Sequence, residues 1–172
     1  SPMLYDPVGT VARSEIPFVS KLAQATEAGA RIRRRRAIET SHKPLVSIVM
    51  PAHNAARTIE RAIQSLLSQG YQNLEILVVD DRSSDATNEI VSRLMLKDSR
   101  IRLLENRVGN GAALTRNVGM EAANGDYLTF QDADDTSTTD RIERQVAALL
   151  MHHKAIVSVC DYQRVDALGR PM

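Results

Sequence analysis

Between residues 45 and 160 two kinds of hydrophobic pattern take turns along the chain. Short, nearly continuous apolar runs over 45–50, 74–79, 101–104, 127–131 and 155–160 predict five strands. Runs that are apolar at successive positions fit strands covered on both faces. Between them apolar residues return at helical spacing. Ile59, Ala62, Ile63, Leu66 and Leu67 mark a helix within 56–69, and further helices are predicted from Ser84 or Asp85 to about Leu96, over 111–123 and over 138–152. Gly70 is placed to end the first helix, Ser84 or Asp85 to cap the second, and Gly125 stands just past the third. Strands alternating with helices predict an α/β fold, a mostly parallel sheet flanked by helices.

Residues 1–43 break this rhythm. Pro2, Pro7, Gly9 and Pro17 leave 1–18 without a period, whereas 19–39 lack proline and are rich in Ala, Arg, Glu and Gln, which favours helix. Thr40, Ser41 and Pro44 then read as a linker. The division is therefore a basic, partly helical arm over 1–43 and a domain over 44–172. The net charge of +1 hides an asymmetry: the arm holds eight Lys/Arg against four Asp/Glu, the remainder fourteen against seventeen. Arg31 and Arg33 to Arg36 concentrate the positive charge. They suit a solvated helix C-terminus, where cations meet the helix dipole. An acidic membrane surface or an intramolecular contact is the second reading.

Composition narrows the function. No run of 18 apolar residues encodes a membrane span, and no basic start leads into an apolar leader. The single cysteine excludes an internal disulfide framework and fits a reducing compartment. The expected location is cytoplasmic, with the inner face of a membrane as the surface the arginines would meet. Cys160 lies within the fifth predicted strand and is expected to be a buried, inert thiol. With no Trp and two Phe, the chain is poorly supplied for stacking on bases, so nucleic acid is not an expected partner.

Open α/β sheets bind ligands beyond the carboxyl ends of their strands, and the unusual polar residues fall there. The first strand ends in Pro51, Ala52, His53 and Asn54, the second in Asp80 and Asp81, the fourth in Asp132, Ala133, Asp134 and Asp135. With these three strand ends side by side, five carboxylates converge and raise one another's pKa unless compensated. A divalent cation is the simplest compensation, and oxygen ligands suit Mg²⁺ or Mn²⁺ completed by substrate phosphate. Taken singly, an Asp-x-Asp is an ordinary loop, an Asp-Asp an ordinary cap, His53 a loop residue, and Gly109 with Gly111 a turn. His152 and His153 fall late in a helix, on the surface. It is the order of these features at successive strand ends that points to a phosphorylated ligand.

The segment from Pro44 to Asp166 resembles the N-terminal half of a family 2 glycosyltransferase with the GT-A fold. The resemblance is carried by Val46 through Asn54, Ile63 through Gln69, and Glu75 through Asp81 with Ser83, Asp85 and Thr87. Asn106 through Gly109, Thr115 through Gly119, and Gly125 through Asp135 complete it. It covers about 120 of the 172 residues and leaves out the arm. It implies an inverting transferase that binds a nucleotide sugar, most commonly a UDP-sugar, through Mn²⁺ or Mg²⁺. The acceptor would be a glycan or lipid-linked saccharide. Pro51, Ala52, His53 and Asn54 would line the base and ribose pocket. Asp81, with Asp80, would accept from the imide N–H of a uracil-like base. Arg116 would reach towards the nucleotide. Asp132, followed by Ala133, would face the ribose, and Asp134 would hold the metal, with Asp132 and Asp135 as further ligands.

The family often has Tyr at the position of His53 and Pro at that of Thr139, and neither departure removes a charged ligand. The resemblance also implies a second half beyond Met172, carrying the acceptor site and a carboxylate base. No catalytic base is assignable within the chain, so by itself it is expected to bind donor only. A non-catalytic nucleotide-sugar-binding or assembly module is the main alternative. A receiver domain would need a Lys after the fifth strand, and a nucleotidyltransferase a Gly-rich, Lys-bearing loop in place of 51–57. Neither feature is present.

Overall fold

The computed structural model describes residues 43–107, 111–152, 154–166, 170 and 172. The chain divides into two units, Ser1–Lys43 and Pro44–Met172. The helix predicted over 19–39 and the run Arg31–Arg36 lie outside the described residues.

Four strands form one parallel sheet in the order β3-β2-β1-β4: β1 (Val46–Ala52), β2 (Leu74–Asp80), β3 (Ile101–Glu105) and β4 (Tyr127–Phe130). Val46 pairs with Leu74 on one side and Tyr127 on the other, and Ala52 lies level with Asp80. The helices are α1 (Ile59–Leu67), α2 (Thr87–Met95), α3 (Ala112–Ala122) and α4 (Arg141–Met151). Parallel strands need crossover connections, and each helix supplies one or covers a face. Ile48, Met50, Ile76 and Val78 present one sheet face to Ile59, Ile63 and Leu66 of α1, Val91 and Leu94 of α2, and Ile142 and Val146 of α4. The opposite face is thinner: Val49, Leu77 and Val79 are covered by Val118 of α3, with Leu104 and Ala123 beside it. Among the described residues no helix is long and apolar enough to cross a membrane.

Two glycines set how closely α3 and its exit approach the sheet. A Cβ on Gly119 would stand 2.4 Å from Val49 Cγ1 and 3.1 Å from Val79 Cγ2, so α3 packs on β1 and β2 through bare backbone. A Cβ on Gly125 would fall 2.6 Å from the Ser47 amide nitrogen. The close approach there is tied by Glu75, whose side chain is 12% exposed. It accepts from Ser47 Oγ at 2.6 Å, from Asn124 N at 2.7 Å and from Arg102 at 3.1 Å. Ser47 Oγ in turn accepts from Gly125 N at 2.8 Å. Burial alone would raise the Glu75 pKa; the hydrogen bonds from Ser47, Asn124 and Arg102 outweigh it and hold the pKa below its ordinary 4.5.

Two sequence expectations are corrected. No strand forms over 155–160. Tyr127 N and Gln131 N donate to Leu45 and Val49, so Leu128 and Phe130 turn their peptide groups to the outer edge of β4. There the Phe130 carbonyl is taken by an Arg141 guanidinium N–H at 3.3 Å. The 155–160 segment is held instead by α4, where Gln145 Nε2 donates to Ser158 O at 3.2 Å. Its apolar residues Ile156, Val157 and Val159 are exposed, and so is Cys160, which is not a buried thiol. The second correction concerns α2, whose N-cap is Ala86 rather than Ser84 or Asp85. Asp85 Oδ1 nevertheless accepts from Thr87 N at 3.0 Å, so a carboxylate still serves this helix start.

Two outcomes test this packing. Gly119→Ala should lose about 1–2 kcal/mol in urea unfolding, because a Cβ 2.4 Å from Val49 Cγ1 calls for overpacking of about 2–3 kcal/mol, the upper part of the usual range, against a helix-propensity gain of about 1 kcal/mol; a variant as stable as the parent would disprove the close approach. A folded-state pKa below the unfolded one gives stability that is present above about pH 4.5 and lost as pH falls through the lower, folded value. Glu75→Gln should therefore flatten the acid limb of the stability–pH curve. An unchanged limb would assign it to other carboxylates.

Candidate functional site: the β1–β4 crevice

The chain leaves β1 for β2 on one side, then β3, and returns through α3 on the opposite face to place β4 on the other side of β1. Strand order therefore reverses between β1 and β4. A crevice beyond the carboxyl ends at such a reversal is the usual ligand site of an open α/β sheet. A cleft of about 310 Å³ opens there. Pro51, His53 and Asn54 enter it from the end of β1, and Ala112 and Arg116 from α3. Asp132, Ala133 and Asp134 enter it from the end of β4, and Ala55 and Thr58 complete the wall before α1. The first, second and fourth strand ends lie side by side as expected, but the residues lining the cleft come from the first and fourth and not the second.

Ala52 is buried in the core behind the cleft. Asp80 is 4% exposed. Its carboxylate accepts from Ser83 N and from Asn88 Nδ2, both at 3.1 Å, and so braces the loop after β2 rather than lining the cleft. Asp81 is half-buried, accepting from Asn106 Nδ2 at 3.2 Å and from Gly111 N at 3.1 Å. It meets the cleft through His53, whose Nδ1–H donates to the Asp81 carbonyl at 2.7 Å. That bond leaves His53 Nε2 as an acceptor, in register with Asn54 Nδ2 at 3.2 Å.

The loops after β1 and β2 are stitched together. Asn54 N donates to Ser83 Oγ at 2.9 Å, and Ser84 N to Asn54 Oδ1 at 2.8 Å. Ala55 N donates to Thr87 Oγ1 at 2.8 Å, and Ala56 N to Asp85 Oδ2 at 3.0 Å. Asn54, at φ 49°, takes the left-handed conformation that Asn tolerates best among side-chain-bearing residues. The supporting roles of Ser83, Asp85, Thr87 and Asn106 escape a sequence reading. Their partners lie 25 to 32 positions away.

The acidic loop carries the electrostatic weight. Arg116 pairs with Asp132 at 2.6 Å, the two side chains being 33% and 49% exposed. A pair this open adds little stability; its effect is to aim Arg116 and to neutralise one carboxylate. Asp134 is exposed, and among the described residues no group bonds its carboxylate; its carbonyl accepts from Arg61 at 3.5 Å. Asp135 has its pKa raised, first by burial and then by the charges of Asp134 and Asp132, with Arg141 opposing. Among the described residues no three Asp, Glu, His or Cys side chains gather as a ready-made cage for an ion. The donor set offered is one open carboxylate, one shared with Arg116 and one under repulsion. Such hard oxygen donors suit a cation that draws its remaining ligands from a bound phosphate and water.

Comparisons with known proteins agree with this geometry. Residues 47–170 match the family model described as glycosyl transferase family 2. An Escherichia coli protein, the UDP-Glc:alpha-D-GlcNAc-diphosphoundecaprenol beta-1,3-glucosyltransferase WfgD, is 44% identical over 109 residues, covering 63% of this chain and 42% of that protein. The crystal structure of S. aureus TarS 1-349 in complex with UDP-GlcNAc superimposes with a TM-score of 0.59 at 28% identity, over 63% of this chain and 32% of that one. The mannosyltransferase PcManGT from Pyrobaculum calidifontis, in complex with GDP-Man and Mn2+, gives 0.59 at 25% identity, over 75% of this chain and 42% of that one. The sheet and its crevice thus define a GT-A, Rossmann-like domain. The chain belongs to glycosyl transferase family 2. It spans about half the length of the curated relatives it matches.

The repulsion within the acidic loop is measurable. In a carboxyl-carbon NMR titration without metal, Asp135 should titrate above its ordinary 3.8. Asp134→Asn should bring it down by removing the nearest like charge. An unmoved Asp135 would mean that Asp134 adds nothing to what burial and Asp132 do.

Proposed function

We propose that this domain binds a nucleoside-diphosphate sugar, foremost a UDP-sugar, in the β1–β4 crevice with Mn²⁺ or Mg²⁺. We further propose that the protein transfers the sugar, with inversion, to a hydroxyl of a glycan or lipid-linked saccharide on the cytoplasmic side of a membrane. The observation that carries the reading is the cleft at the strand-order reversal, where Arg116, Asp132, Ala133 and Asp134 face His53 and Asn54. Asp134 would hold the cation, with Asp132 and Asp135 as further oxygen donors. When bound, the cation neutralises the diphosphate that departs as leaving group. Pro51, His53 and Asn54 form the wall for base and ribose, stiffened by the stitched loops. The Asp81 carboxylate keeps a free lone pair on each oxygen beyond its bonds to Asn106 and Gly111, enough to accept a uracil imide N–H. Arg116 supplies a guanidinium at the mouth of the cleft, held by Asp132 and able to swing its remaining donors to a phosphate. The solved relatives hold UDP-GlcNAc in one case and GDP-Man with Mn2+ in another, which supports both the donor class and the cation.

Titration calorimetry with UDP, in Mn²⁺ and in EDTA, tests the reading. Affinity should rise at least tenfold with metal, about 1.4 kcal/mol. Asp134→Ala should abolish that increment, and Asp81→Ala should weaken UDP binding on the order of tenfold even in EDTA. Equal affinities in the two buffers would count against the metal site, and no UDP binding in either would count against the donor site.

A further inference from the structure

Behind the acidic loop, on the side away from the cleft, polar side chains are buried where apolar ones would fill the space. Gln131 is 5% exposed and Gln69 1% exposed. A buried amide left unpaired costs about 1–3 kcal/mol for each group, so the destination of every bond matters. Gln131 Nε2 lies 3.2 Å from Ala62 O, 3.3 Å from Ser65 Oγ and 3.3 Å from Asp135 O. Its Oε1 accepts from Ser137 Oγ. Ser65 donates to Ala62 O at 2.7 Å and accepts from Ser137 N at 3.1 Å. One helical turn on, Gln69 donates to Ser65 O at 3.1 Å and Thr138 O at 2.7 Å, and accepts from Ile142 N at 3.0 Å. Gly70 N adds a bond to Thr139 O at 2.8 Å.

The bonds fall in a pattern. They reach the loop mainly at main-chain atoms, on both flanks of the turn closed by Asp135 N to Asp132 O at 3.1 Å. They leave the carboxylates of Asp132 and Asp134 untouched. A fully satisfied polar network admits one arrangement of its members, whereas an apolar filling of equal volume admits several. The network therefore fixes the loop's backbone while its side chains remain free to act.

We propose that Gln131, backed by Ser65 and Gln69 of α1 and its exit, is a positioning residue that presents the carboxylates of 132–135 to the cleft at fixed spacing. The proposal rests on the nucleotide-sugar reading above. It implies that the cation-dependent part of donor binding depends on a residue that touches neither cation nor donor.

The test uses the full chain with Gln131→Met, which keeps the volume and removes all of the amide's bonds, and Ser137→Ala, which removes one. Hydrogen exchange is read without ligand. Amides of 132–138 should exchange at least tenfold faster in Gln131→Met, with those of β1 and β2 within twofold of the parent. Calorimetry should show the Mn²⁺-dependent gain in UDP affinity falling at least tenfold, while affinity in EDTA stays within twofold. Ser137→Ala should shift both readouts in the same direction by less. If Gln131→Met speeds exchange throughout the domain, Ser137→Ala decides. Unchanged loop exchange would overturn the proposal, as would a loosened loop that keeps the full Mn²⁺ gain. A parent protein that binds UDP with no Mn²⁺ gain would sink the metal site of the reading above instead, and the exchange pattern would still decide whether Gln131 holds the loop.

Discussion

The arrangement depends on one constraint, the reversal of strand order at β1. Because the chain builds β2 and β3 on one side and returns to place β4 on the other, the connection must cross the sheet. Helix α3 makes that crossing, and among the described residues it is the helix that packs on the Val49, Leu77 and Val79 face. Two loops then part at the carboxyl end, one from β1 and one from β4, and a cleft opens between them. Arg116 reaches Asp132 across that cleft because α3 lies against β1 with no side chain between them at Gly119. Moving the helix outward by one methyl group would move the guanidinium with it.

Negative charge at this edge is handled in three ways. Asp80 is buried and bonded to Ser83 N and Asn88 Nδ2, which makes it part of the scaffold. Asp132 is shared with Arg116, and Asp81 with an amide side chain and a main-chain N–H. Asp134 and Asp135 are left facing one another's charge, and in Asp135 burial first and the charges of Asp134 and Asp132 second raise the pKa. Unspent charge of this kind is what an incoming cation relieves. The sheet's other end shows the opposite treatment, with Glu75 so well supplied with donors that its pKa is lowered.

Much of the fold was legible from hydrophobic period. The strands over 46–52, 74–80, 101–105 and 127–130 and the four helices match their predicted positions within a few residues, because apolar residues at those spacings have only one way to be buried. The segment over 155–160 has the same composition, yet period says nothing about whether an edge is free to receive a strand, and Arg141 occupies the Phe130 carbonyl. At the site, the strand ends announced His53, Asn54, Asp132 and Asp134 as cleft residues, and the family resemblance announced Arg116. The sequence could not separate Asp80 from Asp81, since the difference lies in which one meets Ser83 and Asn88. Gln69 and Gln131 were equally hidden. Their partners lie on another element, and a glutamine beside apolar residues looks like any surface glutamine until its burial is known.

The stitching of the loops after β1 and β2 bears on how the domain assembles. The turn that leads into α1 has its Ala55 and Ala56 N–H groups satisfied by Thr87 and Asp85, which belong to the start of α2. The entrance of α1 is therefore not complete on its own, and the loop leading into α2 in turn bonds Asn54 through Ser84 N, so a local helix start becomes conditional on a distant strand having arrived. Such cross-dependence converts two separate nucleation events into one cooperative step. It also means that thermal opening of either loop is penalised by the other, so the wall of the crevice gives way as a unit or not at all.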